Sequence, residues 1–155
     1  MLAYRYVIAP VGTIGMDYNM VYPDGALDTI GDAVRRKYAI KPRSVFPATP
    51  ARVLLIKRRS SRGRSFMNGD ELKRNLTLRH GFQVDFTDLG TMTFGEQAQI
   101  AAQADLVIGV HGAGLNNVYM APPDACVVEI FPPQLIATHH LLVAASRRLC
   151  YIPLV

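Results

Sequence analysis

The stretch DLVIGVHGAG, residues 105–114, carries the clearest fold signal in the chain. Its first half is a short apolar run, which is the pattern of a strand covered on both faces. Its second half is rich in glycine and typical of a turn from a strand into a helix. His111 stands at the junction between the two halves. This order predicts a buried strand, a glycine-rich loop and then a helix over 115–120.

The same alternation of strand and helix patterns continues in both directions from this stretch. Further strands are predicted at 52–56 (RVLLI), 82–86 (FQVDF), 126–131 (CVVEIF) and 150–154 (CYIPL). Helices are predicted from the pairs Asn68/Glu71 and Thr93/Glu96, which have capping-box spacing, and over 138–148. Strands that alternate with helices form parallel sheets through right-handed crossovers. We therefore expect an α/β fold, a Rossmann-like parallel sheet with helices on both faces.

The N-terminal third gives a weaker pattern. A helix is predicted after Asp24 as its N-cap, with an apolar stripe formed by Leu27, Ile30, Val34 and Tyr38. Prolines at 42, 47 and 50 then end any helix. We divide the chain into a lead-in, residues 1–50, which fits the edge of a missing domain, and a domain at 51–155. A length of 155 residues leaves room for one domain of ordinary size.

Basic residues are concentrated in one part of the chain. The net charge is +5, and no Asp or Glu occurs between Ala33 and Gly69, where eleven Lys and Arg side chains lie. Such a cluster indicates an anionic partner at one place, or a solvated loop that needs none. The chain contains no apolar run of about 20 residues, so we expect a soluble domain without a membrane-spanning helix.

Three features fall at the carboxyl ends of predicted strands, where ligands bind in open parallel sheets. The first is the loop after residues 52–56, with arginines that can grip a diphosphate through bidentate guanidinium groups: Arg58, Arg59, Arg62 and Arg64. The alternative is a flexible loop whose arginines only keep it soluble. The same charge could serve nucleic acid, but no recognition-module signature accompanies it.

The second feature is the loop of His111, Gly112, Ala113 and Gly114. Its glycines permit a close backbone approach and positive φ, and the following helix offers unpaired N–H groups, so the loop suits an anion or a sugar hydroxyl beside an imidazole. A tight turn in which the glycines serve packing is the alternative. The third feature is Glu129, an acid inside an apolar strand. A buried carboxylate needs partners, either a ribose diol or a nearby side chain or N–H group.

Several enzyme classes lack their motifs here. The chain has no G-x-x-x-x-G-K-[ST], which excludes a P-loop NTPase, and no G-x-S-x-G, which removes the nucleophile of an esterase. It has no Asp-x-Asp and no Cys/His ligand cluster along the sequence, so we expect no metal and no cofactor. Cys126 and Cys150 lie in apolar stretches, which favours buried thiols over a disulfide.

Four blocks in order resemble the glycosyltransferase family 61, formerly a domain of unknown function. They are KRRSSRGRSFMNGDEL (57–72), TFGEQ (93–97), ADLVIGVHGAGLNN (104–117) and VVEIFPP (127–133). The family includes protein O-linked N-acetylglucosaminyltransferases of animals and xylosyl- and arabinosyltransferases of plant cell walls. The chain departs from the pattern at Lys57, where a small polar residue often precedes the paired arginines.

The resemblance implies a GT-B glycosyltransferase, of which this chain is similar to the C-terminal, donor-binding half. Arg58 and Arg64, with neighbouring Arg59, would contact the diphosphate of a UDP-sugar, His111 and the backbone of residues 112–114 would lie against phosphates or sugar, and Glu129 would hold the ribose. Transfer to a hydroxyl of a protein or polysaccharide would then proceed without a metal.

The catalytic base is expected in the missing domain, with His111 as the candidate within this chain. The full-length enzyme would work in the lumen of the endoplasmic reticulum or Golgi, held there by an anchor outside this chain. The competing prediction is a non-catalytic Rossmann-like module that binds anions or nucleic acid.

Overall fold

The computed structural model describes residues 25–41, 49–58 and 64–155. Its centre is a sheet of five parallel strands in the order β2-β1-β3-β4-β5. The strands are β1 (Arg52–Ile56), β2 (Gln83–Thr87), β3 (Leu106–Val110), β4 (Cys126–Ile130) and β5 (Cys150–Leu154). All five predicted strands are present, each within a residue or two of its expected bounds, and the predicted α/β class is confirmed.

Helices lie on both faces of this sheet. They are α1 (Ala26–Lys37), α2 (Gly69–His80), α3 (Phe94–Ala101) and α4 (His139–Ser146), with 3-10 segments at Leu89–Thr91 and Ala113–Met120. The predicted helix at 115–120 is therefore a 3-10 helix that begins two residues earlier. Among the described residues, no helix is long and apolar enough to cross a lipid bilayer.

The side chains of β1 alternate between two hydrophobic cores. Leu54 and Ile56 join the larger core, which includes apolar residues of α1, α3, α4 and the second 3-10 segment. Val53 and Leu55 join a smaller core on the opposite face, where Leu72 and Leu76 of α2 cover the sheet. Because a strand buried on both faces is apolar at every position, the run RVLLI was recognisable without any alternation.

Helix α1 packs onto the larger core through only part of the predicted apolar stripe. Leu27 is buried and Val34 packs partly against the core, but Ile30 is 50% exposed. The buried neighbour of Leu27 on the helix is Gly31, which approaches the backbone carbonyl of Tyr119. The N-cap is Gly25, in place of the expected Asp24, which lies outside the described residues.

The two predicted capping boxes have different outcomes. At α3 the box is confirmed: the Glu96 carboxylate accepts from the Thr93 N–H at 2.7 Å, and the Thr93 hydroxyl accepts from the Glu96 N–H at 3.4 Å. At α2 it is wrong, because Asn68 occupies the N-cap but its side chain makes no capping hydrogen bond. The backbone of Asn68 has φ −119° and ψ 31°, away from the extended conformation usual for a side-chain cap.

The prediction of buried free thiols is also wrong. Cys126 and Cys150 face each other as register partners on adjacent strands β4 and β5, and they form a disulfide. Both residues are only partly buried. The apolar sequence around each cysteine could not reveal the pairing, because it depends on the register between two strands 24 residues apart.

Candidate functional site

The predicted site features meet at the carboxyl edge of the sheet, beside the boundary between β1 and β3. From β1 the chain crosses to β2 on one side, whereas from β3 it continues to β4 on the other side. Loops that leave neighbouring strands in opposite directions open a crevice, and this switch point is where open parallel sheets bind ligands. The loop after β1 and the glycine-rich loop after β3 form its two walls.

Two arginines of the loop after β1 contact the glycine-rich loop after β3. The guanidinium Nη1 atoms of Arg58 and Arg64 both donate to the backbone carbonyl of His111, at 2.7 and 3.2 Å. The structure thus brings two of the predicted donor-binding arginines to the histidine loop. Arg59 and Arg62, which belong to the same prediction, lie outside the described residues.

Gly112 is the residue that allows this arrangement. Its φ of 148° is a conformation that side chains rarely adopt, and a Cβ atom there would overlap the guanidinium group of Arg58. Its carbonyl accepts the Leu115 N–H at 2.9 Å, which starts the 3-10 segment. The glycine therefore serves both the backbone turn and the close approach of the Arg58 side chain.

A cavity of about 240 Å³ opens between the two loops. It is lined by residues from the end of β1, the loop after β2, helix α3 and the histidine loop: Ile56, Lys57, Arg58, Asp88, Leu89, Gly90, Gln97, Ala113 and Gly114. Its charged lining, within the part of the chain that the structure describes, consists of Lys57, Arg58 and Asp88. The Asp88 carboxylate accepts the Gly90 N–H at 2.9 Å and caps the short 3-10 turn.

Behind the histidine loop lies a cluster centred on Glu129. Its side chain is fully buried. Oε1 accepts from Nδ1 of His111 at 2.5 Å and from Nδ1 of His140 at 2.7 Å, while Oε2 accepts from the Tyr151 hydroxyl at 2.5 Å. The residues left a ribose or nearby donors open as partners of this carboxylate, and the family resemblance implied the ribose. The structure surrounds the carboxylate with side chains of this domain, and a ribose would have to displace one of them.

The cluster stabilises the charged form of Glu129. Burial raises the pKa of this carboxyl, but hydrogen bonds from His140, Tyr151 and His111 and the positive charge on His140 outweigh burial, so the net pKa is lowered. The same contact acts on its partner. Burial, followed by the hydrogen bond to Glu129 and its negative charge, raises the pKa of the Tyr151 phenol. The tyrosine therefore stays a neutral donor.

A second layer of polar side chains extends from the cluster to the surface. Nε2 of His140 lies 3.1 Å from Oδ1 of Asn116, and Nε2 of His139 lies 3.3 Å from the same atom. The pKa of His139 is lowered, first by burial and then by the positive charge on His140. The His111 ring stacks on Phe131, with ring centroids 5.4 Å apart. These contacts fix the histidine rings from several sides.

His111, Glu129 and His140 are residue types that also bind metal ions, and their polar atoms lie within 4.8 Å of one another. Two nitrogen or oxygen ligands that share a zinc ion each stand about 2.0 Å from it, so they are about 3.3 Å apart in a tetrahedral site. The contacts of Glu129 with the two imidazoles, 2.5 and 2.7 Å, are shorter and are hydrogen-bond distances. The geometry is that of a hydrogen-bonded cluster, whose members stand too far apart in the chain to form a ligand motif along the sequence.

Sequence reasoning missed His140, Tyr151 and Asn116 as members of this site. Each is a polar residue in or beside an apolar segment, which is the signal that singled out Glu129. Gln97 accepts a hydrogen bond from the Asn117 amide at 3.0 Å, donates to the Met92 carbonyl at 3.1 Å and lines the cavity. Its contacts link α3 to the histidine loop.

Comparison with known proteins gives one family. The profile described as glycosyltransferase 61 matches residues 16–128. The chain is 38% identical over 88 residues to an EGF domain-specific O-linked N-acetylglucosamine transferase of Xenopus laevis, which covers 55% of this chain and 17% of the relative. It is 33% identical over 88 residues to an alpha-1,3-arabinosyltransferase of Oryza sativa subsp. japonica, which covers 56% of this chain and 15% of the relative.

A beta-1,2-xylosyltransferase of the same plant is 31% identical over 100 residues, or 64% of this chain and 21% of the relative. The aligned part of the chain therefore spans 15–21% of the length of these curated relatives. The family profile, in contrast, covers well over half of the 155 residues and includes the arginine loop, the histidine loop and most of β4. On that match, the chain belongs to the glycosyltransferase 61 family.

Proposed function

We propose that this chain is the donor-binding domain of a glycosyltransferase that takes a sugar from a UDP-sugar and transfers it to a hydroxyl group of a protein or polysaccharide. The observation that carries the proposal is the cavity at the β1/β3 boundary, walled by the arginine loop and the histidine loop. The relatives supply the reaction class, since all three are named as glycosyltransferases.

The cations around this cavity suit a diphosphate. In glycosyl transfer, the bond from the sugar to the β-phosphate breaks and negative charge develops on the departing diphosphate. Preorganised cations and N–H groups stabilise such charge without further rearrangement. Arg58 is held by the His111 carbonyl, and Lys57 lines the same cavity, so the positive groups are in place before a ligand arrives. We propose that they replace a metal ion in this role.

The acceptor and the catalytic base belong to a second domain in this proposal. A GT-B enzyme binds its donor and its acceptor between two Rossmann-like domains, and one sheet of five strands accounts for only one of them. The general base that removes the acceptor proton would then come from the partner domain. The chain by itself would bind the donor and transfer nothing.

The disulfide supports a compartment for the whole protein. Disulfides persist in oxidising environments such as the endoplasmic reticulum, and are rare in the cytosol. Cys126 and Cys150 pair across adjacent strands of the sheet. We propose that the full-length protein works in the lumen of the secretory pathway.

Calorimetric titration with UDP tests the donor site in the intact protein that carries this chain. Arg58→Ala removes a guanidinium from the cavity wall and should weaken UDP binding about 10- to 100-fold, the equivalent of a charged hydrogen bond. Arg74→Ala is the matched control, because Arg74 is exposed on α2, which covers the opposite face of the sheet from α3. The UDP affinity of the Arg74→Ala variant should stay at the wild-type value.

Equal UDP affinity in the wild type and the Arg58 variant would refute the site. Binding of inorganic polyphosphate and RNA as tightly as UDP, with a steep dependence on salt, would favour the anion-binding module instead. Metal independence is tested separately by repeating the titration and a transfer assay in EDTA. Loss of transfer on chelation, restored by added Mn²⁺ or Mg²⁺, would refute that part of the proposal.

A further inference from the structure

Both ring nitrogens of His140 face oxygen atoms. Nδ1 lies 2.7 Å from Oε1 of Glu129, and Nε2 lies 3.1 Å from Oδ1 of Asn116. An ionised carboxylate and an amide oxygen only accept hydrogen bonds, so each of these contacts needs a proton on the imidazole. An imidazole with protons on both nitrogens is the imidazolium cation. The contacts therefore describe His140 as the cation that balances Glu129.

The charges on the neighbouring side chains then determine the protonation state of His111. Glu129 is the one carboxylate that contacts this histidine among the described residues, and His140 already compensates its charge. Tyr151 donates to Glu129 as a neutral phenol. A second imidazolium would leave one uncompensated positive charge in a site where Glu129 and His140 are almost completely buried. Because Nδ1 of His111 must donate to Glu129, the neutral ring carries its single proton on Nδ1.

We propose that the Glu129–His140 pair holds His111 in the Nδ1–H tautomer, with an unprotonated Nε2 that accepts a hydrogen bond from a hydroxyl group of the ligand. The part that concerns the ligand rests on the proposed donor site. A lone pair at Nε2 repels a phosphate oxygen, which is also an acceptor, and attracts a hydroxyl. The hydroxyl belongs either to the ribose or to the sugar that is transferred.

The surroundings of His111 support this assignment. Among the described residues, the charged and titratable groups that interact with its side chain are Glu129 from β4 and His140 and His139 from α4, whereas Arg58 and Arg64 bind its backbone carbonyl. The side chain is 16% exposed, and the described residues place no hydrogen-bond partner at Nε2. Phe131 stacks on one side of the ring and fixes its plane. His140 thus acts as a positioning residue for His111.

Nitrogen-15 NMR of histidine-labelled protein reads each tautomer directly. The chain has four histidines, and exposed His80 lies outside the cluster and provides an internal reference. At about pH 7, we expect His111 with a protonated Nδ1 and a bare Nε2, and His140 with protons on both nitrogens. A neutral His140, as an Asn116 amide turned by 180° would produce, or an Nε2–H tautomer of His111, overturns the inference.

Two substitutions should change the protonation state of His111, because each changes the charge of a neighbouring group. In His140→Gln, Glu129 keeps its charge and His111 becomes the imidazole that balances it, so His111 should carry protons on both ring nitrogens at neutral pH. In Glu129→Gln, which removes the negative charge, Nε2 of His111 should stay bare. His80→Gln is the matched control, because exposed His80 lies at the end of α2 and its recorded ring contact is with Phe82, outside the cluster. An unchanged His111 titration in His140→Gln, with the fold intact by NMR, would refute the positioning role.

The response of the Nε2 resonance to three ligands identifies the group that Nε2 of His111 binds. Inorganic pyrophosphate should leave the Nε2 resonance unchanged, because it offers no alcohol. A shift with UDP identifies a ribose hydroxyl, and a shift that appears only with UDP-N-acetylglucosamine identifies a hydroxyl of the sugar. The inference is overturned if Nε2 becomes protonated when pyrophosphate is added, or if the purified protein contains stoichiometric zinc. If neither nucleotide binds, the donor-site proposal and the hydroxyl assignment fail together, whereas a wrong tautomer in the ligand-free protein refutes the His111 inference alone.

Discussion

Replacement of Gly112 by alanine should destabilise the domain and disturb the site through one contact. The glycine has φ 148°, and a Cβ atom would overlap the Arg58 guanidinium that donates to the His111 carbonyl. Backbone strain of this kind costs about 1–3 kcal/mol. Displacing the arginine from its carbonyl costs a further charged hydrogen bond, about 1.5–3 kcal/mol. We expect the free energy of unfolding to fall by about 2.5–6 kcal/mol.

The control variant Gly81→Ala separates the cost of backbone strain from the cost of the overlap with a neighbouring side chain. Gly81 also has a positive φ, 68°, but nothing lies within 4 Å of the position of its Cβ atom. Its substitution should cost only the left-handed backbone, about 1–2 kcal/mol. Urea unfolding followed by circular dichroism measures both variants, and UDP calorimetry should show weaker binding for Gly112→Ala alone.

A double-mutant cycle with Arg58→Ala tests the physical reason. Once the arginine is truncated, the added methyl group meets no guanidinium, so Gly112→Ala should then cost only its backbone strain. The two substitutions should be less than additive, with a coupling of about 0.5–3 kcal/mol. Strict additivity, or a Gly112→Ala cost equal to that of Gly81→Ala, would show that the overlap with Arg58 does not determine the stability of this loop.

Three further outcomes follow from named contacts. The pKa of Glu129 is lowered in the folded protein, so its ionised carboxylate stabilises the fold above the unfolded pKa of 4.5, and this stabilisation is lost as pH falls through the folded pKa. Glu129→Gln should therefore flatten the acid limb of a plot of unfolding free energy against pH. Thr93→Ala removes the capping hydroxyl of α3 and should cost about 1 kcal/mol in urea unfolding. Asp28→Asn, which leaves buried Arg147 without its counter-charge, should lower the thermal midpoint clearly more than Asp32→Asn, whose ion pair is at the surface; equal effects would contradict this reasoning.

The fold was largely predictable because its evidence is local. A strand covered on both faces is apolar at each position, and capping residues and glycines mark where helices begin and end. The errors arose where an isolated pattern leaves two solutions open. The stripe through Ile30 has helical spacing, but Gly31 allows the backbone of Tyr119 to approach, so the helix turns that face inward and exposes Ile30.

The candidate site was predictable only in part. The strand-end rule brought the arginine loop, the histidine loop and Glu129 to one edge from the order of strands and helices alone. It could not identify the partners of Glu129. A buried carboxylate requires hydrogen-bond donors, but the sequence does not say which of the distant donors will reach it.

The sequence by itself determined the alternation of strands and helices, the glycine-rich turn at Gly112 and the family, because each depends on residues close together in the chain. The tertiary structure alone decided that His140 and Tyr151 surround Glu129, and that Cys126 meets Cys150. These partners are 11 to 24 residues apart in the chain. The order and register of β4 and β5 bring Tyr151 and the two cysteines together with their partners, whereas the position of helix α4 brings His140 to Glu129. Local hydrophobic patterns fix which segments are strands, whereas the contacts between strands depend on how the whole sheet is assembled.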